Sequence, residues 1–495
     1  MRSVINHQMM FGRTDISAIV FDLKSRDDIP KILRGLQEIY TNEELRKRVF
    51  AILEEVRPER KKGEGKADPN TGRPGMEQWA ILVLGVVRLG IDADYDRLHE
   101  LVNHHDTLRQ MLGHNDWTDK TCYELQTIKD NVRLFTPELL DRINREVVLA
   151  GHTLVKKKGQ ENLLPLMARG DSFVVETNVH FPVDISQLFD AIRKAIELCA
   201  TWSYTQGLSQ WRQSATNIKL LKKLHRIVQQ HKRSTSKKPE KKDLQDQKIK
   251  QAHRDYLDAV NVQLQRVVIT GAKLGACDPL LLSKLNGYIA HAEVQMGQIH
   301  RRVFNEEVIP HEEKVFSIFQ PHTEWISKGK AGVPVELGLR VCIIEDQYRF
   351  ILHHQVMEKV VDSDIAVSII EETKQRFPNL RSISYDKGFH SKDNQRDLKV
   401  LLEKVVMPKK GKLSKIDKAH ESEPEFRGLR RQHSAVESAI NALEVHGLNI
   451  CLDHGIEGFN RYVALAVLAR NIHRYGALLF KQDAKRHRGP YKKAA

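Results

Sequence analysis

A predicted β-strand near residue 171 is isolated from the other strand patterns, because residues from about 186 to 305 carry helical patterns instead. The strand is indicated by "DSFVVETNVHFP", about ten residues rich in β-formers that stop at Pro182. Its hydrogen-bonding partners are therefore expected beyond the helical stretch. Asp171, which opens the strand, is either a solvated end residue or a carboxylate held at the edge of a sheet for chemistry.

Strand patterns return in "KVFSIFQPHTEWI" and in "VELGLRVCIIEDQYRFILHHQVM", and the second is predicted to form a hairpin. A helix at 364–377 follows, with Asp362 or Ser363 as its cap. The strand "LRSISYD", a helix at 393–404, the short strand "KVVMP" and a helix at 432–444 complete the series. This order predicts an α/β domain with a mixed sheet that is split by the helical insertion at 185–305.

The part before residue 166 is predicted to be all-helical. A lead at 1–60 and a Gly/Pro/Lys linker at 61–75 precede a helical domain at 76–165. Helical patterns in this domain cover about 76–89, 94–103, 119–134 and 137–150. The third of them is either a DNA-reading helix, with Lys120, Lys129 and Arg133 as phosphate contacts, or a solvated helix face.

Positive charge predicts a polyanionic partner. Lys and Arg outnumber Asp and Glu by 79 to 64, and the stretch 212–254 alone holds 14 basic residues against three acids. A charge run is often only a solvated face, but charge of one sign at this density is better explained by bound phosphates. The predicted contacts in the stretch are Lys222, Lys223, Lys237, Lys238, Lys241 and Lys242.

Cysteines and hydropathy indicate the compartment. The five cysteines are widely spaced and form no CxxC pair, which favours a reducing compartment and gives no sign of a structural metal. The most apolar stretch, "WAILVLGVVRLGI", is too short to span a bilayer and contains Arg88. We expect a soluble, cytoplasmic protein without a membrane partner.

Two further acids belong with Asp171. In "SISYDKGFHSKDN", Asp386 ends a predicted buried strand and Gly388 permits the turn after it, which puts the carboxylate at the edge of the sheet where ligands gather. In "RRQHSAVESAINALEVHGL", Glu437 lies one helical turn from His433 on a face beside the apolar stripe. Three such carboxylates suit two Mg²⁺ ions, or Mn²⁺ as a substitute, about 4 Å apart for phosphoryl transfer.

Four blocks of the sequence together resemble a known family. They are "DSFVVETNVHFPVD", "VFSIFQPHTEWISKGK", "YDKGFHSKDN" and "RRQHSAVESAINALEVHGLNICLDHGIEGFNRYVALAVLARNI". The chain resembles DDE-type bacterial insertion-sequence transposases, and among them the ISNCY group. The resemblance covers 166–184 and 306–480, with a looser likeness at 73–160. It implies an RNase H-like core in which Asp171, Asp386 and Glu437 bind the metals. Composition alone marks 481–495 as a basic C-terminal tail.

The chain departs from many members of that family near the third acid. They have Tyr and Arg before the catalytic Glu and a Lys seven positions after it, whereas here His433 stands four residues before Glu437 and Glu444 stands seven after it. The contacts to terminal nucleotides that the family makes with those residues are therefore reassigned to His433, Arg430 and Arg431. Each of these three has either that role or an ordinary surface role.

Several other polar residues have two interpretations each. Glu176, Asn178 and His180 are predicted to share a strand face, either as groups that support the metal ligands or as a buried polar face. Lys328 and Lys330 either hold a phosphate or belong to a solvated turn. Three more acids are expected at helix N-termini: Asp364, Asp393 and Asp397.

The resemblance implies a DNA transposase that cleaves element ends and joins their 3′-hydroxyls to target DNA. Double-stranded DNA is the expected partner, and a homodimer or higher oligomer is expected because two ends must be held together. A metal-dependent nuclease or resolvase on the same core is the alternative enzyme. A non-catalytic DNA-binding protein derived from a transposase is the third interpretation, although all three acids are present.

Overall fold

The computed structural model describes residues 3–5, 14–57, 75–114, 119–155, 165–232, 239–274, 278–327 and 334–487. It is an α/β protein, 64% helical, with a mixed open sheet of seven strands. The chain forms two compact units: residues 1–178 with 326–495, and residues 179–325. The predicted insertion at 185–305 falls within the second unit, and the predicted linker at 61–75 lies almost wholly outside the described residues.

Helices occupy most of the chain before the sheet. Within the described ranges they are α1 (Ile29–Thr41), α2 (Glu43–Leu53), α3 (Gln78–Gly90), α4 (Tyr95–His104), α5 (Asp106–Met111), α6 (Leu125–Val132) and α7 (Pro137–Val155). Strand β1 (Leu166–Thr177) ends this part of the first unit. The second unit contains α8 (Asp184–Thr205), α9 (Ser214–Lys232), α10 (Pro239–Leu274) and α11 (Pro279–Val303).

The remaining strands and helices begin at the end of the second unit and continue after it. The strands are β2 (Glu324–Ser327), β3 (Val335–Asp346), β4 (Ile351–Met357), β5 (Leu380–Tyr385), β6 (Lys404–Val406) and β7 (Ile450–Cys451). The helices are α12 (Asp362–Ile365), α13 (Ser368–Arg376), α14 (Lys392–Leu401), α15 (Lys415–Ser422), α16 (Pro424–His433), α17 (Ala435–Leu443) and α18 (Ile456–His487).

Strand β1 is the centre of the sheet. On one side it pairs antiparallel with β3, which pairs in turn with β2 and antiparallel with β4. On its other side β5 runs parallel to its first residues and β7 parallel to its last two, and β6 is parallel to β5. The β3–β4 hairpin and strand β5 confirm the sequence predictions for these segments.

Helix α18 lies at the centre of the first unit, where it packs against α1, α3, α7 and β4. Its crossing with α1 brings backbone onto backbone, because a Cβ on Gly476 would stand 1.8 Å from the carbonyl oxygen of Lys31. Buried residues of the N-terminal helices and of the sheet form one continuous hydrophobic cluster. The helices before β1 and the sheet therefore share a core.

Helix α3 is buried on every side, as its apolar sequence requires. Its one charged residue, Arg88, forms a 2.9 Å ion pair with Asp453 and lies 3.7 Å from the centre of the Tyr95 ring. The buried cation is thus balanced by an anion and an aromatic face. None of the helices in the described ranges is long and apolar enough to cross a membrane.

The second unit has a hydrophobic core of its own, made where its helices face one another. Leu188, Ile192, Val260 and Ile299 are completely buried there. Lys222, Lys223 and Lys242 are exposed on α9 and α10, and Lys241 lies in α10. Lys237 and Lys238 fall outside the described residues.

Two predicted strand boundaries were wrong. Strand β1 begins at Leu166, so Asp171 lies in its interior, and it ends at Thr177, before Asn178 and His180. In "KVFSIFQPHTEWI" only the last residues belong to β2. The earlier residues turn instead, because the Ser317 hydroxyl accepts the backbone N–H of Gln320 at 3.0 Å.

One predicted helix was too long, and two were predicted as continuous where the structure interrupts them. The 119–134 helix begins only at Leu125, because Asp119 Oδ1 accepts the N–H of Thr121 in a turn that competes with the helix. The 364–377 helix is interrupted after Ile365, and Val361 rather than Asp362 or Ser363 is its cap. The 432–444 helix is interrupted at Ser434, whose hydroxyl donates back to the Arg431 carbonyl at 2.9 Å.

Candidate active site

Asp171 lies in the middle of the central strand and is only partly exposed. Gly170 before it is required by close packing, since a Cβ there would stand 2.4 Å from the Tyr385 ring and 2.8 Å from Ile344. This tight packing of β1 against β5 fixes the position of Asp171, the next residue of β1, relative to the end of β5.

Asp386 directly follows the last residue of β5, the parallel strand beside β1. The last register pair between the parallel strands is Gly170 with Tyr385, so Asp171 and Asp386 both come one residue later. Neighbouring strands lie about 4.8 Å apart, and parallel partners project to the same face. Asp386 Oδ1 also accepts the N–H of Gly388 at 2.7 Å, which begins the turn that the sequence predicts after this strand.

Asp362 is a fourth acid that the sequence reasoning treated only as a helix cap. It begins α12, and its Oδ1 accepts the hydroxyl of Ser172 at 2.6 Å. A Cβ on Gly388 would stand 3.0 Å from Asp362 Oδ2 and 3.0 Å from Asp386 Oδ1, so both carboxylates converge on this glycine. No local signal in the sequence separates Asp362 from an ordinary acid at the start of a helix.

Glu437 reaches the cluster from α17. Val436, Ala439 and Leu443 form the buried apolar stripe of that helix, and α17 packs against β1. Glu437 is exposed on the neighbouring face, and its negative charge acts on Asp171. Two strands, the start of one helix and the face of another thus bring four carboxylates together.

Bringing four carboxylates together is electrostatically unfavourable, and the raised pKa of Asp171 shows this. Burial, with the charges of Asp386, Asp362 and Glu437, raises the pKa of Asp171 to about 7, although the N–H of Ser172 favours the ionised form. Among the described residues, no Lys or Arg forms a salt bridge with any of the four acids. The four acids are therefore not paired with a basic side chain in this part of the structure, and oxygen ligands in this number fit a divalent hard cation such as Mg²⁺.

His433 lies beside the acids on α16. Its Nδ1–H donates to the Ser384 carbonyl at 3.2 Å, a contact that leaves Nε2 as the ring's acceptor. Burial lowers the pKa of His433, against the opposing charges of Asp386 and Glu437. The ring is thus neutral at pH 7 and held at the rim of the cluster.

The other predicted DNA contacts lie in several places. Arg430 is 3.5 Å from Glu421 and Arg431 is exposed, both on α16. Lys120 is exposed but precedes the helix in which it was placed, and Arg133 is exposed just after α6. Lys129, on the last turn of α6, has its Nζ 5.7 Å from the centre of the Tyr95 ring. Lys328 and Lys330 lie outside the described residues.

The polar residues expected to support the metal ligands do not reach them along β1. Glu176 lies five residues beyond Asp171, which is about 17 Å in a strand. Asn178 is exposed after the strand, and His180 lies 3.6 Å from Asp190 within the second unit. Asp364 and Asp393 occupy first turns as expected, whereas Asp397 lies in mid-helix.

Comparison with known proteins returned no match to this chain, whether among family models, curated proteins or solved structures.

Proposed function

We propose that this protein is a DNA transposase that cleaves element ends and joins the 3′-hydroxyl ends to target DNA by metal-dependent phosphoryl transfer. The observation that carries the proposal is the convergence of Asp171, Asp386, Asp362 and Glu437, which no Lys or Arg of the described residues balances in a salt bridge. Such a cluster is costly to fold and is explained by a bound cation that the reaction needs.

The sheet supports an RNase H-like core, which the family resemblance implies. Its central strand carries the first acid, with an antiparallel hairpin on one side and parallel strands on the other. The second acid follows the adjacent parallel strand, and the third lies on a helix packed on β1. Ligand-binding residues gather at strand ends in open α/β sheets in this way.

The four carboxylates would hold two Mg²⁺ ions, with Asp171 and Asp386 side by side at the same level of the sheet. Bound Mg²⁺ lowers the pKa of an attacking water or 3′-hydroxyl and stabilises the leaving oxygen. The chain orients these ligands: Ser172 fixes Asp362 by its hydroxyl, and the N–H of Gly388 fixes Asp386. Neutral His433 can accept a hydrogen bond at Nε2 from the substrate.

DNA binding is assigned mainly to the basic helices of the second unit. The exposed Lys222, Lys223 and Lys242 belong to the stretch of greatest positive charge and suit contacts to phosphates rather than to bases. Arg430, Arg431 and His433 are proposed to contact the strand being cut. A dimer that holds two element ends is part of the proposal, as is action on DNA in the bacterial cytoplasm.

The test is a reaction of the purified protein with Mg²⁺ and duplex DNA carrying the sequences that flank the gene. Joined products, together with cleaved ends, support the transposase. Cleavage without joining under the same conditions would indicate the nuclease or resolvase instead. Binding without either reaction would indicate a DNA-binding protein and reject the catalytic role.

Asp386→Asn provides the internal control for that reaction. The amide keeps the shape of the side chain but removes the charge that a metal requires, so both reactions should be lost while DNA binding persists. Asp393→Asn, on an exposed helix turn, is the matched variant that should remain active. Full activity of Asp386→Asn would remove Asp386 from the site.

A further inference from the structure

A second group of ligand-type side chains lies where α7, β4 and α13 meet, apart from the carboxylates. Asp141 on α7 and the consecutive His353 and His354 on β4 offer ligand atoms that all lie within 4.8 Å of one another. His353 and His354 are almost completely buried, and Asp141 is mostly so. Two imidazoles and one carboxylate are a donor set used by zinc and other transition metals.

His354 has an unused nitrogen that points into this group. Its Nδ1 is buried, has no hydrogen-bond partner within the described structure, and lies 3.5 Å from Asp141 Oδ1. Two ligands of one tetrahedral Zn²⁺, each about 2.0–2.1 Å from the ion, are about 3.3 Å apart.

His353 is oriented as a metal-binding histidine usually is. Its Nε2 lies 3.1 Å from a carboxylate oxygen of Glu372 on α13, so Nε2–H donates to that carboxylate and the lone pair is on Nδ1. A carboxylate on the far nitrogen fixes the tautomer and makes the other nitrogen a better ligand. The lone pair of Nδ1 faces Nη1 of Arg376, 2.6 Å away.

Arg376 supplies a cation to the same place. Its Nη1 lies 2.6 Å from Asp141 Oδ2 and 2.6 Å from His353 Nδ1. The Arg376 side chain is 30% exposed, at the end of α13, and can therefore turn toward solvent. A guanidinium nitrogen held by a carboxylate and an imidazole lone pair occupies a position that a metal ion could take instead.

We propose that Asp141, His353 and His354 form a binding site for a zinc-class transition-metal ion, which replaces the guanidinium of Arg376. The ion would join α7 to β4, which are distant in sequence, and would thereby stabilise the first unit. The widely spaced cysteines gave no sign of a structural metal, and this site uses none of them. It is independent of the proposed transposase activity, because it shares no residue with the carboxylate cluster.

The experiment is calorimetric titration of the full-length protein with Zn²⁺, with Mg²⁺ in large excess to fill the oxygen-ligand sites. His354→Gln should bind one Zn²⁺ fewer than the wild type. His104→Gln, which changes an exposed histidine on α4, should bind as many as the wild type. Wild-type stoichiometry in His354→Gln would overturn the proposal. Asp141→Asn gives an independent result and should also lose one ion if the site exists.

The variant Arg376→Gln distinguishes a metal site from a cluster of side chains whose only role is structural. In Arg376→Gln no guanidinium occupies the position of the ion, so every folded molecule is ready to bind Zn²⁺. The apparent Kd for Zn²⁺ should therefore be lower than that of the wild type. Zn²⁺, but not Mg²⁺, should then raise the melting temperature of this variant more than that of the wild type. Unchanged or weaker Zn²⁺ binding by Arg376→Gln would overturn the replacement of Arg376 by the ion.

Discussion

The hydroxyl of Ser172 donates a 2.6 Å hydrogen bond to Oδ1 of Asp362. Ser172 follows Asp171 on the central strand, whereas Asp362 begins a helix after the β3–β4 hairpin. The bond therefore ties the fourth acid of the cluster to the strand that carries the first.

Asp362→Asn is expected to reduce DNA cleavage at least tenfold, on the order of 1.4 kcal/mol in the barrier, and to raise the Mg²⁺ concentration needed for half-maximal rate. The reason is the loss of one charged oxygen ligand at the cation. The rate is measured on labelled duplex DNA across a magnesium titration. Asp364→Asn, which changes a more exposed acid two residues away, is the control. An unaltered magnesium dependence in Asp362→Asn would limit Asp362 to a structural role at the start of its helix.

The raised pKa of Asp171 predicts a pH-dependent stability in the absence of metal. The folded-state pKa is about 7, above the ordinary value of 3.8, so the folded protein binds more protons than the unfolded chain between these values. The free energy of unfolding should therefore fall as pH rises from about 4 to about 7, by at most about 4 kcal/mol. Denaturant melts in EDTA measure this change, and Asp171→Asn should lack this part of it.

Mg²⁺ should reverse that effect. A cation bound by the four acids favours ionised Asp171, so binding at about pH 6 should release up to about one proton from the protein. Calorimetry in two buffers of different ionisation enthalpy counts the protons. Asp171→Asn is again the matched variant, and proton release of the same size from it would place the titrating group elsewhere.

The exposed lysines of the second unit are expected to set the salt dependence of DNA binding. Changing Lys222, Lys223 and Lys242 together to Gln should weaken binding to all sequences about equally. The slope of log K against log salt should flatten by at most about 0.9 for each duplex phosphate that a lysine no longer neutralises. Lys24, Lys47 and Lys399, exposed in the first unit, are the matched set. An unchanged slope in the first triple variant would move the DNA path to the N-terminal helices or the basic tail.

Gly170→Ala should destabilise the first unit by about 1–3 kcal/mol and reduce activity with it. The added Cβ would press on the Tyr385 ring and on Ile344, and relieving the clash moves β1 against β5. Gly287→Ala in α11 meets no neighbouring atom and should be neutral or stabilising by up to about 1 kcal/mol. Thermal melts and the cleavage assay report the two effects, and equal melting temperatures for the two variants would contradict the packing argument.

The sequence indicated the local structure around Asp386 well, because "SISYD" has strong β-formers and Gly388 marks the turn. The start of β1 was missed for a physical reason. "LMARG" has weak strand propensity, and it is extended only because β3 and β5 pair with it on both sides. Tertiary pairing of this kind is not encoded in a local window.

Asp362 shows the same limit for the site. As an acid at the start of a helix it has a sufficient local explanation, so nothing nearby in sequence marks it as part of a cluster. Its role emerges only when α12 is placed over Ser172. The interruption after α12 was equally hidden, since the carbonyl of Ala366 accepts the hydroxyl of Tyr385, a residue from the next strand.

The central position of β1 has a consequence for how the chain is made. Every strand that pairs with β1 lies after residue 334, and α18, which covers the core of the N-terminal helices, ends at His487. When only the first 330 residues have been synthesised, β1 therefore has no strand to pair with, and the N-terminal helices lack α18, which packs against them. The second unit is continuous in sequence and has its own core, so it can fold first. The first unit is completed only after residues 334–487 have been synthesised, so its early segments depend on segments translated much later.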